Sequence, residues 1–154
     1  MPSRLRLLAC GLAVVSAAGV VGCSKQAALP DVCRNTDAAA LHTALQRAPT
    51  EVRLPGDVAL SECVAQARTD SELQIVGGLL TEAGDGLARE APHDSAAALQ
   101  LGYLEGATER GAARNNGIGA ELGNRMANVF VPADSTPAGR AAYGKGQAAG
   151  RSGG

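Results

Sequence analysis

The chain encodes a small, mainly α-helical bundle of four or five helices with one disulfide and a disordered C-terminal tail. Three observations predict this. At 154 residues and 45 % hydrophobic content there is material for one modest domain, yet 2 % aromatic residues and no Trp leave its core thin. Apolar residues in the middle of the chain recur at spacings of three and four, the period of a helix face. Two cysteines, Cys33 and Cys63, fall in this same body at a separation that can close a loop across it.

Composition also excludes classes of function. A net charge of −1 gives neither a basic surface for nucleic acid nor an acidic solvating tail. One Phe and two Tyr leave almost no flat rings for stacking bases or sugars. No nucleic-acid partner is therefore expected.

The first element is residues 1 to 22, which have the three parts of a secretory signal: Arg4 and Arg6, an apolar run from Leu7 to Val21, and a small residue at Gly22. The run is shorter than the roughly 20 residues that span a bilayer, and Ser24, Lys25 and Gln26 turn polar at once. The residues Val20-Val21-Gly22-Cys23 resemble the lipobox of bacterial lipoproteins. That resemblance implies cleavage before Cys23 and a diacylglyceryl thioether on its sulfur. Two or three acyl chains anchor stably where one is marginal, because burial contributes about 0.8 kcal/mol per CH₂. The competing readings are an uncleaved anchor and a plain signal peptide cut near Cys23. Leu7-Leu8-Ala9-Cys10 has the same pattern but almost no apolar run ahead of it, so Cys10 belongs to the hydrophobic stretch. Ser24 and Lys25 do not resemble the Asp-led retention signal of inner-membrane lipoproteins, which implies the outer membrane if the cell has two. Cleavage removes Arg4 and Arg6 and moves the net charge from −1 to −3, so attachment to anionic lipid would rest on the acyl group.

Residues 23 to 30 form a short leader, and 31 to 131 the helical domain. With Cys10 removed and Cys23 lipidated, Cys33 and Cys63 remain as an even pair in an oxidising compartment and are predicted to bond. The loop of about 30 residues stabilises by roughly 3 to 4 kcal/mol on the chain-entropy account. The alternative is two buried free thiols. No CxxC occurs, and no four-ligand Cys/His zinc set can be assembled with only His42 and His93 available.

Within the domain, Asn35-Thr36-Asp37 offers N-cap oxygens to a helix carrying Ala38, Leu41 and Leu45 and ending near Pro49. Val52 to Asp57 alternates and then turns at Pro55-Gly56, an extended connection. Helix resumes from Leu60 to Ala67. Thr69 and Glu72 have capping-box spacing, and Leu73, Val76, Leu80, Ala83 and Leu87 follow as a stripe, weakened by Gly77, Gly78, Gly84 and Gly86. Past Pro92, Asp94 or Ser95 caps a helix from Ala96 to about Arg114 with Leu99, Leu101, Tyr103 and Leu104. In that helix Ala98, Gly102 and Gly106 recur every fourth residue, which is either a seam for close approach of another backbone or compositional drift. Asn115-Asn116-Gly117 reads as its C-cap, and a last helix carries Ile118, Leu122, Met126 and Phe130 to Pro132. Residues 132 to 154, rich in Ala, Gly and Ser, are expected to be disordered. Arg140, Lys145 and Arg151 there make either a basic tail for an anionic wall polymer or a solvated terminus.

Few residues offer chemistry. Glu90-Ala-Pro-His93 has a di-iron ligand spacing, but Pro92 spoils its helical geometry and a second such motif is absent. Glu105 and Glu109, one turn apart, could act as acid and base but are expected on an exposed face. Gly117-Ile-Gly119 with Gly123 is one residue too long for a dinucleotide loop, and no Gly-x-Ser-x-Gly elbow occurs. Neither Ser61 nor Ser71 has a nearby base, so a hydrolase would have to use His42 or His93. No metal, cofactor or catalytic residue is expected, and lipidation at Cys23 with a Cys33/Cys63 bridge completes the expected site residues.

The body is also similar in composition to small Ala-rich helical lipoproteins of high-GC bacteria, a likeness that implies no activity. The expectation is a non-catalytic envelope protein, held by lipid on the extracytoplasmic face of the membrane and binding an envelope or cell-wall partner. The alternative is a carrier of a small apolar ligand in a cavity lined by Leu79, Leu80, Leu101 and Leu104.

Overall fold

The computed structural model describes residues 28 to 50, 52 to 115 and 136 to 154. The signal segment, Cys23 and the expected helix from Ile118 to Phe130 lie outside the described residues, as do Asn116 and Gly117. Six helices and one small hairpin are described: α1 (Asp31–Asn35), α2 (Ala38–Leu45), β1 (Arg53–Leu54), β2 (Val58–Ala59), α3 (Leu60–Gln66), α4 (Asp70–Glu90), α5 (Ser95–Ala112) and α6 (Pro137–Gly153). The architecture is mainly helical as expected, but the count exceeds the four or five anticipated.

Local chemistry sets most of the boundaries. At α2 the Ala40 N–H donates to Asp37 Oδ1 at 2.7 Å, and at α5 the Ala96 N–H donates to Asp94 Oδ1 at 2.8 Å. At α4 the capping box closes in both directions. The Glu72 N–H donates to Thr69 Oγ1 at 3.2 Å, and the Thr69 N–H donates to Glu72 Oε2 at 3.2 Å. Arg68 N–H adds a second donor to that carboxylate at 3.1 Å, and Arg34 Nη2 on α1 meets its Oε1 at 2.7 Å. These donors, the backbone of Arg68 first, hold the Glu72 carboxyl below the usual range. Between α2 and α3 the extended connection is a hairpin pairing Arg53 with Ala59 and Leu54 with Val58. Its turn works because Gly56 follows Pro55 at φ 78°, a conformation open to glycine.

The core runs through the whole body. Leu41 and Leu45 of α2, Leu60 and Val64 of α3, Val76, Leu80 and Leu87 of α4, and Leu101, Tyr103 and Leu104 of α5 are fully buried together. Each such side chain contributes about 1.5 to 3 kcal/mol of burial. Ile75 is the one large apolar residue that the described surface exposes. Leu29 is buried as well, so the leader joins the core before α1 begins.

Two elements correct the expectation. The first is α1, only five residues long and too short to show a period; it opens at Pro30 and closes where Thr36 Oγ1 and its N–H both donate to Val32 O. The second is α6, which replaces the disordered tail over residues 137 to 153. Thr136 caps it by accepting the Gly139 N–H at 3.1 Å, with Pro137 at the first helical position. What holds it is α5. A Cβ built at Gly102 would lie 2.9 Å from Gln147 N and closer still to Tyr143 O, and one at Gly106 would lie 2.9 Å from Arg151 N. In return, Cβ atoms at Gly146 and Gly150 would lie 2.9 Å from Tyr103 N and 2.7 Å from Ala107 N. The small-residue spacing on α5 is thus a seam, and the two helices run parallel, since rising positions on one meet rising positions on the other.

Glycines in the two settings should respond oppositely to alanine. Gly78 and Gly86 of α4 face open space, so Gly78→Ala and Gly86→Ala are expected to stabilise by about 0.5 to 1 kcal/mol each. Gly106→Ala and Gly150→Ala must push backbone apart and are expected to destabilise by about 1 to 3 kcal/mol or more. Urea unfolding of the four variants checks the contrast, and equal signs in the two pairs would refute the seam.

Candidate functional site

The expected site residues are scattered. Cys33 on α1 and Cys63 on α3 do come together: their sulfurs are 1.98 Å apart and their Cα atoms 5.5 Å, and both are buried. The bond therefore ties the start of the body to its centre. His42 is half-buried on α2, whereas His93 is exposed in the turn between α4 and α5. Glu90 and His93 do not form a paired ligand set, because α4 ends at Glu90 and the His93 N–H donates to Glu90 O at 2.9 Å. Among the described residues no group of three His, Cys, Asp or Glu is placed to hold a metal ion. The Ser61 hydroxyl donates to the Gly154 carbonyl, which occupies it structurally.

Two clefts are described. One of about 440 Å³ lies between α1, α2 and the hairpin, lined by Val32, Asn35, Ala40, Ala44, Leu54 and Pro55 with Thr36 and Thr43. Both threonine hydroxyls donate to backbone carbonyls within their own turns, so the lining is largely apolar. The other, about 360 Å³, gathers His93, Asp94 and Ser95 with Thr136 and Gly139, where α5 and α6 both begin. Asp94 and Thr136 already cap those two helices. Leu79, Leu80, Leu101 and Leu104 line neither cleft; they are buried in the common core.

The most perturbed group is one expected to sit in water. Glu105 is 5 % exposed, and its Oε2 has no hydrogen-bond partner. It lies beside Gly106 where α6 crosses, which is how the seam buries it. One turn on, Glu109 is paired with Arg151 of α6 through Nε and through Nη2 at 3.1 Å, and Gln147 Nε2 donates to its Oε1 at 3.4 Å. Arg110 Nη1 donates to the carbonyls of Arg151 and Ser152 at the end of α6. Burial first, and the charge of Glu109 second, push the Glu105 carboxyl up to about 7. The spacing of Gly102 and Gly106 was the signal that could have located it, had the partner helix been recognised.

No family model, curated protein or solved structure matches this chain.

The bridge has a direct test. Reduction, or a Cys33→Ser, Cys63→Ser double variant, is expected to lower stability by roughly 3 to 4 kcal/mol, read from denaturant midpoints with and without reductant. No change on reduction would show that the pair carries none of the fold.

Proposed function

We propose that the chain is a lipid-anchored extracytoplasmic protein whose helical body is a non-catalytic interaction module of the cell envelope. The observation that carries the reading is the pairing of Cys33 with Cys63 at bonding distance inside the core, downstream of a lipobox-like Val20-Val21-Gly22-Cys23. A structural disulfide of this kind belongs to an oxidising compartment. Burial of Leu29 adds a geometric consequence: it lies six positions after Cys23, so the body would ride within about 20 Å of the lipid. No described helix is long and apolar enough to cross a membrane, and in this reading the acyl chains on Cys23 supply the attachment. Neither described cleft joins a nucleophile to an oriented base, and Glu105 lines neither of them.

A second reading, a carrier of a small apolar ligand, is favoured by the cleft beside α1. Its volume falls in the range of small-molecule sites, and its lining is mostly aliphatic. It would use Val32, Ala44 and Leu54 in place of the four core leucines.

Mass spectrometry of the native chain decides the first reading. A diacylglyceryl group on Cys23 and a two-proton deficit across Cys33 and Cys63 are expected, in a detergent-extracted fraction. Unmodified Cys23 in a buffer-soluble fraction would defeat it. For the second reading, an apolar fluorophore should brighten on binding and lose that signal in Ala44→Trp, which fills the cleft; unaltered binding by this variant would exclude the cleft.

A further inference from the structure

We propose that Glu105 is a proton-operated latch on the last helix: with its carboxyl neutral, α6 lies against α5 along the glycine seam, and with it ionised, the two helices are driven apart. The inference is independent of whether Cys23 is lipidated.

The geometry gives Glu105 nowhere to place a charge. Its side chain is 5 % exposed, its Oε2 is unpartnered, and the adjacent Gly106 admits the α6 backbone so closely that no water layer separates the helices there. The one cation acting on it, Arg151, is already bound twice by Glu109. Gln147 of α6 hydrogen-bonds the same carboxyl and favours its charged form, but brings no charge, and the effect of burial exceeds it. From the other elements packed on α5, the charged groups are engaged or solvated. Glu62 on α3 accepts the Ala59 N–H at 3.3 Å, and Glu72 on α4 is held by Arg34 and its own cap. Asp70, Glu82, Asp85, Arg89 and Glu90 of α4 are exposed, and His42 of α2 is half-buried with no described bond to Glu105.

An ionised Glu105 would therefore be a buried anion one turn from Glu109, sharing a cation that Glu109 already holds. Protonation removes the charge and leaves Glu109 with Arg151 undivided. The direction follows from linkage: an acid whose carboxyl is raised on folding, here to about 7, stabilises fully below its unfolded value of 4.5. That stabilisation is lost as pH rises through 7. The penalty falls on α6 because this is the helix that covers Glu105 along the seam. Its sequence is rich in glycine, which costs about 1 kcal/mol per residue relative to alanine in a helix interior, and its buried positions are Gly139, Gly146 and Gly150.

Hydrogen exchange on the full chain between pH 5 and pH 8, corrected for intrinsic rates, tests the latch. Protection of the Gly146 to Gly150 amides is expected to fall roughly tenfold or more across this range, declining as pH rises toward 7 and levelling off above it, while Leu80 and Leu87 of α4 keep theirs. In Glu105→Gln the α6 protection should be the same at both ends. Equal pH dependence in the two proteins would overturn the proposal. Should the variant fail to fold, a carbon-13 titration of the Glu105 carboxyl in the unaltered protein decides: a midpoint near 7 supports the latch, and one near 4.5 overturns it.

Discussion

The close approach of α5 and α6 is the constraint on which the rest of the body depends. Gly102 and Gly106 each receive backbone of α6, and Gly146 and Gly150 each receive backbone of α5, so the two helices interlock main chain to main chain. A chain with 2 % aromatic residues cannot fill a wide gap between helices with large side chains. Bringing backbones together removes the gap instead, and dispersion between dense surfaces replaces the missing side-chain volume. Tyr103 is the largest of the fully buried side chains on α5. It is fully buried beneath Gly146 and Gly150, and its hydroxyl takes the Val52 N–H at 3.1 Å, joining the seam to the hairpin side of the core.

The same approach produces the polar strain of the interface. A seam of small residues leaves the positions beside it buried whether or not they are apolar, and Glu105 is one of these. Around it the interface is otherwise well satisfied: Glu109 holds Arg151, Arg110 takes the last carbonyls of α6, and the Thr108 hydroxyl returns to Leu104 O at 2.8 Å. The contrast isolates Glu105 as the one carboxyl there without a partner for an oxygen. Gln100 Oε1 of α5 is also buried without a partner, but an amide carries no charge to desolvate, so Glu105 is the unpartnered group on this helix whose protonation matters to packing.

Legibility in the sequence followed the range of the interaction. The Thr69/Glu72 capping box, a cap at Asp94 or Ser95, the Leu73 to Leu87 stripe and the turn at Gly56 are all written within a few residues, and each was readable; the structure places that cap at Asp94. The pairing of Cys33 with Cys63 was readable by counting thiols on the expectation that Cys10 is removed and Cys23 lipidated. The spacing of Ala98, Gly102 and Gly106 was visible, but its meaning depended on a partner that composition disguised. Residues 136 to 154 carry the helix start Thr136-Pro137 and a matching Gly146, Gly150, Gly154 spacing. Low intrinsic helicity and few apolar side chains nevertheless read as disorder, because the stabilisation comes from α5 rather than from the segment itself. Burial of Glu105 was hidden for the same reason. A carboxyl on an 18-residue helix looks solvated until the helix that covers it is in place.

The two ends of the body are held by unlike devices, and seven residues of α3 connect them. Cys63 takes the covalent link from α1, and Gly111 of α5 lies so close that a Cβ there would be 2.5 Å from Ser61 O and from Val64 Cβ. Ser61 donates to Gly154 at the end of α6, and Asn115 beyond α5 donates through Nδ2 to Val64 O at 2.9 Å and Ala67 O at 3.3 Å, satisfying carbonyls at the end of α3. A helix this short has negligible stability of its own. Its position is set by the bond at Cys63 and by Leu60 and Val64 in the core, and it then supplies the surface on which α5 and α6 end. The bridge thus fixes more than the loop it closes: by holding α3 in register it presents Ser61 to Gly154, and so bears on the docking of a helix more than 70 residues further along the chain.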